Sequence, residues 1–129
     1  MNTFTSTALR EVRDRDWPAL CERLNQLQGA IATIEFVDLN GSKREVARNA
    51  EFEGASFGKL DACNNRILIR VRDNRVVEHG VIDPLHLKLE ETEDGRDFDA
   101  VFMEGEKGTT VLRIHPAIHA SQVAGIELR

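Results

Sequence analysis

The chain has no tyrosine, one tryptophan, two cysteines and three prolines in 129 residues. Each scarcity narrows the field. With a single Trp and no Tyr there is little of the aromatic surface on which sugars or unpaired bases stack. Cys21 and Cys63 stand alone and far apart, unlike a disulfide framework or a C-x-x-C redox or zinc pattern, so both read as reduced thiols. Long hydrophobic runs are missing too: the longest apolar stretches are three or four residues, whereas a membrane helix needs about 18 or more. Residues 1–12 carry interspersed polar and charged residues where a secretion signal would carry an apolar run of about 7–15 residues. The expected setting is cytoplasmic, with no membrane partner.

An excess of positive charge is also absent, since 17 Lys and Arg face 22 Asp and Glu for a net charge of −5. Nonspecific nucleic-acid binding draws its affinity from phosphate neutralisation by Lys and Arg, so nucleic acid is disfavoured as a partner. An apolar share of 41% excludes wholesale disorder. The composition fits one globular domain over residues 1–129, long enough to bury a core without a disulfide or metal staple.

Against these absences stands clear periodicity. Trp17, Leu20, Cys21, Leu24 and Leu27 recur at i, i+3, i+4, i+7 and share one helix face, with Glu22, Arg23 and Gln26 opposite. Asp14 and Asp16 suit the N-terminus, Pro18 the first turn and Gly29 the C-cap, giving a helix over about residues 15–28. From residue 30 the period becomes two. Residues 30–39 read as a strand, Asn40-Gly41 as a type I′ turn and residues 43–50 as the return strand. Residues 51–64 resist assignment, because Gly54 and Gly58 suit a bulge, a short helical turn or an irregular loop.

The next strand places Ile67, Ile69 and Val71 on one face and Arg66, Arg70 and Arg72 on the other. Asp73-Asn74 turns into a partner strand over residues 75–82, which Asp83-Pro84 interrupts. Leu85, Leu87 and Leu89 alternate, residues 90–97 form an acidic turn, and Phe98, Ala100 and Phe102 alternate again. Residues 105–108 turn the chain into a last strand over residues 109–114, followed by a tail over residues 115–129. The tail reads either as a short helix after Pro116 or as an arm that lays Ile126 and Leu128 on a neighbouring molecule. The expected fold is α+β: one N-terminal helix packed on a curled or partly closed antiparallel β-sheet of about seven short strands.

Several of these elements resemble a known family. Leu9-Arg10-Glu11-Val12 before Asp16-Trp17, Ala47-Arg48 with Gly54, the turn Leu87-Lys88-Leu89-Glu90-Glu91-Thr92-Glu93 with Gly95, and the strand Gly108-Thr109-Thr110-Val111-Leu112-Arg113 are similar to those of a bacterial family, domain of unknown function 5335. The likeness spans residues 9–115, and the Leu-Glu-Glu-Thr-Glu and Gly-Thr-Thr-Val-Leu-Arg segments carry most of it. It implies a bacterial cytoplasmic protein and brings no activity or catalytic residue. The tail over residues 116–129 falls outside it.

No catalytic, cofactor-binding or metal-binding set emerges. His115 and His119 would share a face only on a helix, and with His79 or His86 they offer at most a scattered ligand set, more simply read as exposed or locally bonded histidines. The acids Glu90, Glu91, Glu93, Asp94, Asp97 and Asp99 lack EF-hand order and suit a solvated turn with edge-protecting charge. Asp97 and Asp99 share a strand face, but no aromatic cleft accompanies them. Ser42 and Ser56 lack a nucleophile-elbow context, and no Gly-rich phosphate loop is present. Cys63 is the one thiol placed for exposure and would need Lys59 or Arg66 beside it to be activated.

The charge distribution is uneven. Residues 43–75 carry +3 and residues 83–106 carry −7. If the two segments adjoin, their charges pair across strands, which is the favoured expectation; if they lie apart, the surface is bipolar. The leading functional expectation is a noncatalytic domain that binds a protein partner or itself, for example as a homodimer, with a candidate interaction surface of Arg66, Arg70, Arg72, Ile126 and Leu128. An Sm-like nucleic-acid-binding barrel is the alternative, and an enzyme built on Cys63 ranks last.

Overall fold

In a computed structural model the described residues are 8–129; residues 1–7, part of the stretch read for a leader, lie outside them. One residue pattern dominates the chain. Strands with inward alternation follow one another at short turns, and they join into a single eight-stranded antiparallel sheet. Its strands are β1 (Leu9–Val12), β2 (Ile31–Asp38), β3 (Lys43–Lys59), β4 (Asn65–Asp73), β5 (Arg75–Ile82), β6 (His86–Glu91), β7 (Asp97–Gly105) and β8 (Gly108–His119). The order across the sheet is β1-β6-β7-β8-β2-β3-β4-β5, and the sheet does not close, since β1 and β5 are its two ends. This is the expected α+β architecture, with eight strands instead of seven.

The helix departs from its expected bounds. Residues Asp14–Asp16 make a 3₁₀ turn, the α-helix α1 runs over Trp17–Leu24, and Asn25–Leu27 make a second 3₁₀ turn. Pro18 stands in the first turn of α1, and neither aspartate caps the helix through its side chain. Trp17, Leu20, Cys21 and Leu24 are buried as the periodicity requires. Trp17 donates its indole N–H to the Val12 carbonyl at 3.0 Å and meets Phe57 edge-on at 6.3 Å. Each fully buried large side chain contributes about 1.5–3 kcal/mol of transfer free energy, and Leu20, Leu24, Phe52, Ile67, Ile69 and Leu87 all belong to one core.

The stretch over residues 51–64 is mostly strand. β3 is 17 residues long because it serves two neighbours in succession: its first half pairs with β2, and its second half pairs with β4. Irregularities mark the change of partner. The ladder slips where Ala47 and Ala50 pair with Ile34 and Ala32, leaving Asn49 at a positive φ of 48° with its N–H bonded to Thr33 Oγ1. It slips again at Glu53, between Phe52 and Gly54. Such bulges bend a strand and increase its twist, which two glycines in a sequence window only hint at. Only residues 60–64 remain as a loop, folded around Asp61.

Other turns differ in detail. Among residues 39–42 only Gly41 has a positive φ, so this is not a type I′ turn; Asp38 Oδ1 instead accepts the N–H groups of Asn40 and Ser42. In β7 a bulge between Phe98 and Ala100 resets the alternation, so Val101 and Met103 point inward and Phe102 does not. Leu85 is exposed, whereas Leu87 and Leu89 are buried. β1, which shows no period because it is only four residues long, pairs with β6. Among the described residues no helix is long and apolar enough to cross a membrane.

The tail folds back on its own domain. β8 continues through Pro116 to His119, a 3₁₀ turn covers Ala120–Val123, and Ile126 is buried in the core. Arg129 and Glu11 exchange both backbone hydrogen bonds, at 3.1 and 3.0 Å, and Leu128 bridges Val12. The expected arm reaching a neighbour is thus corrected: Ile126 packs into the core of its own chain, and Leu128 and Arg129 cover the free edge of β1, which has unpaired amides to offer.

A close approach ties α1 to the bend in β3. Asn25 Oδ1 accepts the Ala55 N–H at 2.8 Å and leaves no room at Gly54, where a Cβ would sit 2.8 Å from that oxygen. Gly54→Ala should destabilise the chain, and Asn25→Ala should cost about 1–3 kcal/mol by orphaning an amide. In the Asn25→Ala background the Gly54→Ala penalty should shrink or reverse. Urea denaturation of the four proteins checks this through a coupling energy of about 0.5–3 kcal/mol.

Candidate functional site

The best-formed recess lies where the two halves of the curled sheet face each other. One wall is the second half of β5, with His79, Gly80, Val81 and Ile82; the other comes from the ends of β2, β7 and β8, with Phe36, Asp38, Gly105, Gly108 and Thr110. Arg44, the cross-strand partner of Phe36, and Lys107, in the turn between β7 and β8, stand at the margin. The cleft holds about 410 Å³, within the range of small-molecule sites. Two broader depressions, of about 480 and 540 Å³, surround Trp17 and Leu85.

Alternation along β5 turns Val77, His79 and Val81 inward. That puts an imidazole where an aliphatic residue would otherwise sit. His79 is 9% exposed and Thr110 1%, and Nε2 of His79 lies 2.8 Å from Thr110 Oγ1, the hydrogen bond that satisfies both. The Phe36 ring is tilted against His79 at 5.8 Å, and the Arg44 guanidinium lies 5.4 Å from the centre of the same Phe36 ring. Burial, and then the positive charge of Arg44, push the His79 pKa below its ordinary value, so the ring is neutral at pH 7.

Gly105 permits the walls to meet, and Gly108 lets β8 start hard against β2. A Cβ at Gly105 would lie 2.9 Å from Val81 Cγ1 and 3.0 Å from the Ile82 carbonyl, so β5 can cross the β7–β8 hairpin only at a glycine. At Gly108, whose φ is +148°, a Cβ would overlap the Val37 carbonyl oxygen. The Ile82 carbonyl also accepts the Glu106 N–H at 3.2 Å, which fastens the crossing.

The residues expected at an interaction surface are scattered and largely engaged. Arg70 is paired with Glu78 at 2.7 Å and Arg72 with Glu53 at 2.8 Å, while Arg66 packs its aliphatic stem beside Gly80. The Arg face of β4 is therefore not a free basic stripe. Ile126 and Leu128 lie on the β1 side of the domain, away from these arginines in the sheet order.

The expectation that the two oppositely charged segments adjoin is also corrected. β8 and β2 separate β3, β4 and β5 from β6 and β7 in the sheet, and charges pair within each half instead, as Arg70–Glu78 and Lys88–Glu104 do. Pairs this exposed contribute about 0–1 kcal/mol each.

The histidines do not converge. His86 lies 2.7 Å from Glu11, whose carboxyl that contact holds below the usual range; His119 lies 3.3 Å from Asp97, and His115 is exposed on β8. Among the described residues no group of three His, Cys, Asp or Glu side chains could hold a metal ion. Asp97 and Asp99 are both half-buried; burial, then the neighbouring Glu90, raise the Asp99 carboxyl, and Glu90 is itself joined to Arg113 at 3.2 Å. Cys63 is exposed in the Asp61 loop, and Cys21 is buried in the core with its thiol pushed up to about 12 by burial.

The cleft escaped the sequence reading because Phe36, His79 and Thr110 are remote in the chain. One signal was there: His79 occupies an inward position in the Val77, His79, Val81 alternation.

The depressed His79 pKa has a definite sign in stability. Below the ordinary value of 6.5 the unfolded chain takes up a proton on this ring that the folded chain refuses, so its contribution is complete above 6.5 and is lost as pH falls toward the folded pKa. His79→Gln keeps a hydrogen-bonding group for Thr110 and cannot titrate; chemical denaturation from pH 7.5 to 5 should show a shallower loss of stability than in the parent chain. In native protein iodoacetamide should label Cys63 and leave Cys21 intact, as peptide mass spectrometry would record. Comparison with known proteins finds no matching family model, no matching curated protein and no matching solved structure.

Proposed function

We propose that this chain is a noncatalytic binding domain and that the cleft between β5 and the β7–β8 hairpin is its recognition element. The observation that carries the reading is the built character of that cleft. Its two walls come from strands distant in the sheet, and a buried histidine–threonine pair, an aromatic ring and two basic side chains line it. Few precisely placed polar groups in a mainly apolar recess are what a small-ligand or side-chain pocket requires.

The surroundings support binding over chemistry. A nucleophile needs a base and an orienting group, and Cys63 sits in a loop outside the cleft lining. Binding of a protein partner fits the same recess if the partner inserts a side chain. Self-association is less favoured by the tail, since Ile126 is buried in its own core and Leu128 already bridges β1. The first part of β5, with Val76 42% exposed, is the remaining open edge. The Sm-like reading loses its motive where Glu78 and Glu53 engage Arg70 and Arg72. A cytoplasmic setting, and the resemblance of residues 9–115 to the domain of unknown function 5335 family, belong to this proposal.

A screen of small organic fragments against the ¹⁵N-labelled chain tests the proposal. Hits should concentrate their shift changes on the amides of Gly80, Gly105 and Gly108. Hits gathered around Trp17 and Leu85, or scattered over the surface, would overturn the assignment of the cleft.

A further inference from the structure

Most cations near an acid in this protein are already engaged: Arg10, Arg13, Arg15, Lys43, Arg48, Arg70, Arg72, Lys88 and Arg113 each pair with a carboxylate. Eight other Lys and Arg residues form no ion pair among the described residues, and two of these, Arg44 and Lys107, line the cleft. In a chain of net charge −5, this recess gathers two cations that form no ion pair.

The one carboxylate in the lining, Asp38, offsets one of the two charges and leaves the recess net positive. Asp38 turns Oδ1 toward the Asn40 and Ser42 amides of its own turn. Arg44 also has a contact beside the recess, its guanidinium lying over the Phe36 ring at 5.4 Å. Deeper in, Phe36, Val81 and the neutral His79 give an apolar, partly aromatic wall. The volume of about 410 Å³ accommodates a ring system of modest size.

We propose that the cleft takes a small organic carboxylate with a flat apolar body, its carboxylate held by Arg44 and Lys107 and its ring laid against Phe36 and Val81. The inference rests on the cleft being the recognition element and names the ligand class. Arg favours a planar carboxylate because its fork matches the two oxygens bidentately. A compact anion such as inorganic phosphate would satisfy the cations and leave the apolar wall wet.

Three probes separate these contributions: 1-naphthoate, its uncharged isostere 1-naphthamide, and inorganic phosphate, each titrated into the ¹⁵N-labelled full chain. Naphthoate should shift the Gly80, Gly105 and Gly108 amides and bind at least about tenfold more tightly than naphthamide, the effect of one charge-assisted contact. Arg44→Gln and Lys107→Gln, both at exposed positions, should each weaken naphthoate by about five- to tenfold and weaken naphthamide distinctly less, because the neutral amide lacks the charge-assisted contact. Equal binding of naphthoate and naphthamide, insensitive to both substitutions, would overturn the carboxylate assignment and leave the cleft as a binding site. Phosphate binding at the same amides as tightly as naphthoate would overturn the flat apolar body. If none of the three probes moves those amides at millimolar concentration, the ligand class and the cleft reading both fall.

Discussion

The bend in β3 is the constraint on which the other features rest. A straight strand of 17 residues would hold β2 and β4 in one plane, and a flat sheet has no interior for α1 to fill. The slips near Asn49 and at Glu53 turn the second half of the strand back over the first. β4 and β5 travel with it, which brings β5 across the tip of the β7–β8 hairpin and encloses the core that receives Trp17, Leu20 and Leu24. Asn25 and Gly54 then secure the helix end to the same bend.

The crossing explains why a histidine is tolerated inside. Burying an imidazole without a partner costs free energy, but the approach of β5 to β8 supplies the Thr110 hydroxyl at 2.8 Å. Glycine at 105 permits β5 to come this near the β7–β8 hairpin. The cleft is what remains between walls that meet along one line and diverge beside it, so its shape and its polar lining have one origin.

Sheet edges and surface charge are handled locally. The C-terminal residues pair with β1 and shield its amides, while Arg13 and Arg15 meet Glu127 and so hold the tail down. Acids on neighbouring strands take up Arg10, Arg70, Arg72 and Arg113, and much of the charge asymmetry becomes a set of short-range pairs. Arg44 and Lys107 are exceptions at the mouth of the cleft, which is why the functional reading centres there.

Local periodicity determined much by itself. The inward face of α1, the strands β2, β4, β5, β6 and β8, and the turn at Gly105 and Gly108 all follow from spacing and turn chemistry, which act within about ten residues. β1 was too short to show a period, and the slip at Phe98 broke the alternation of β7. The second half of β3 was hidden because a bulged strand with glycines has the local signature of a loop. Strand order, the docking of the tail and the meeting of Phe36, His79 and Thr110 were decided only by the tertiary structure. Those contacts join residues tens of positions apart, and the free energy that selects them comes from closing one core around a bent sheet, a quantity no sequence window contains.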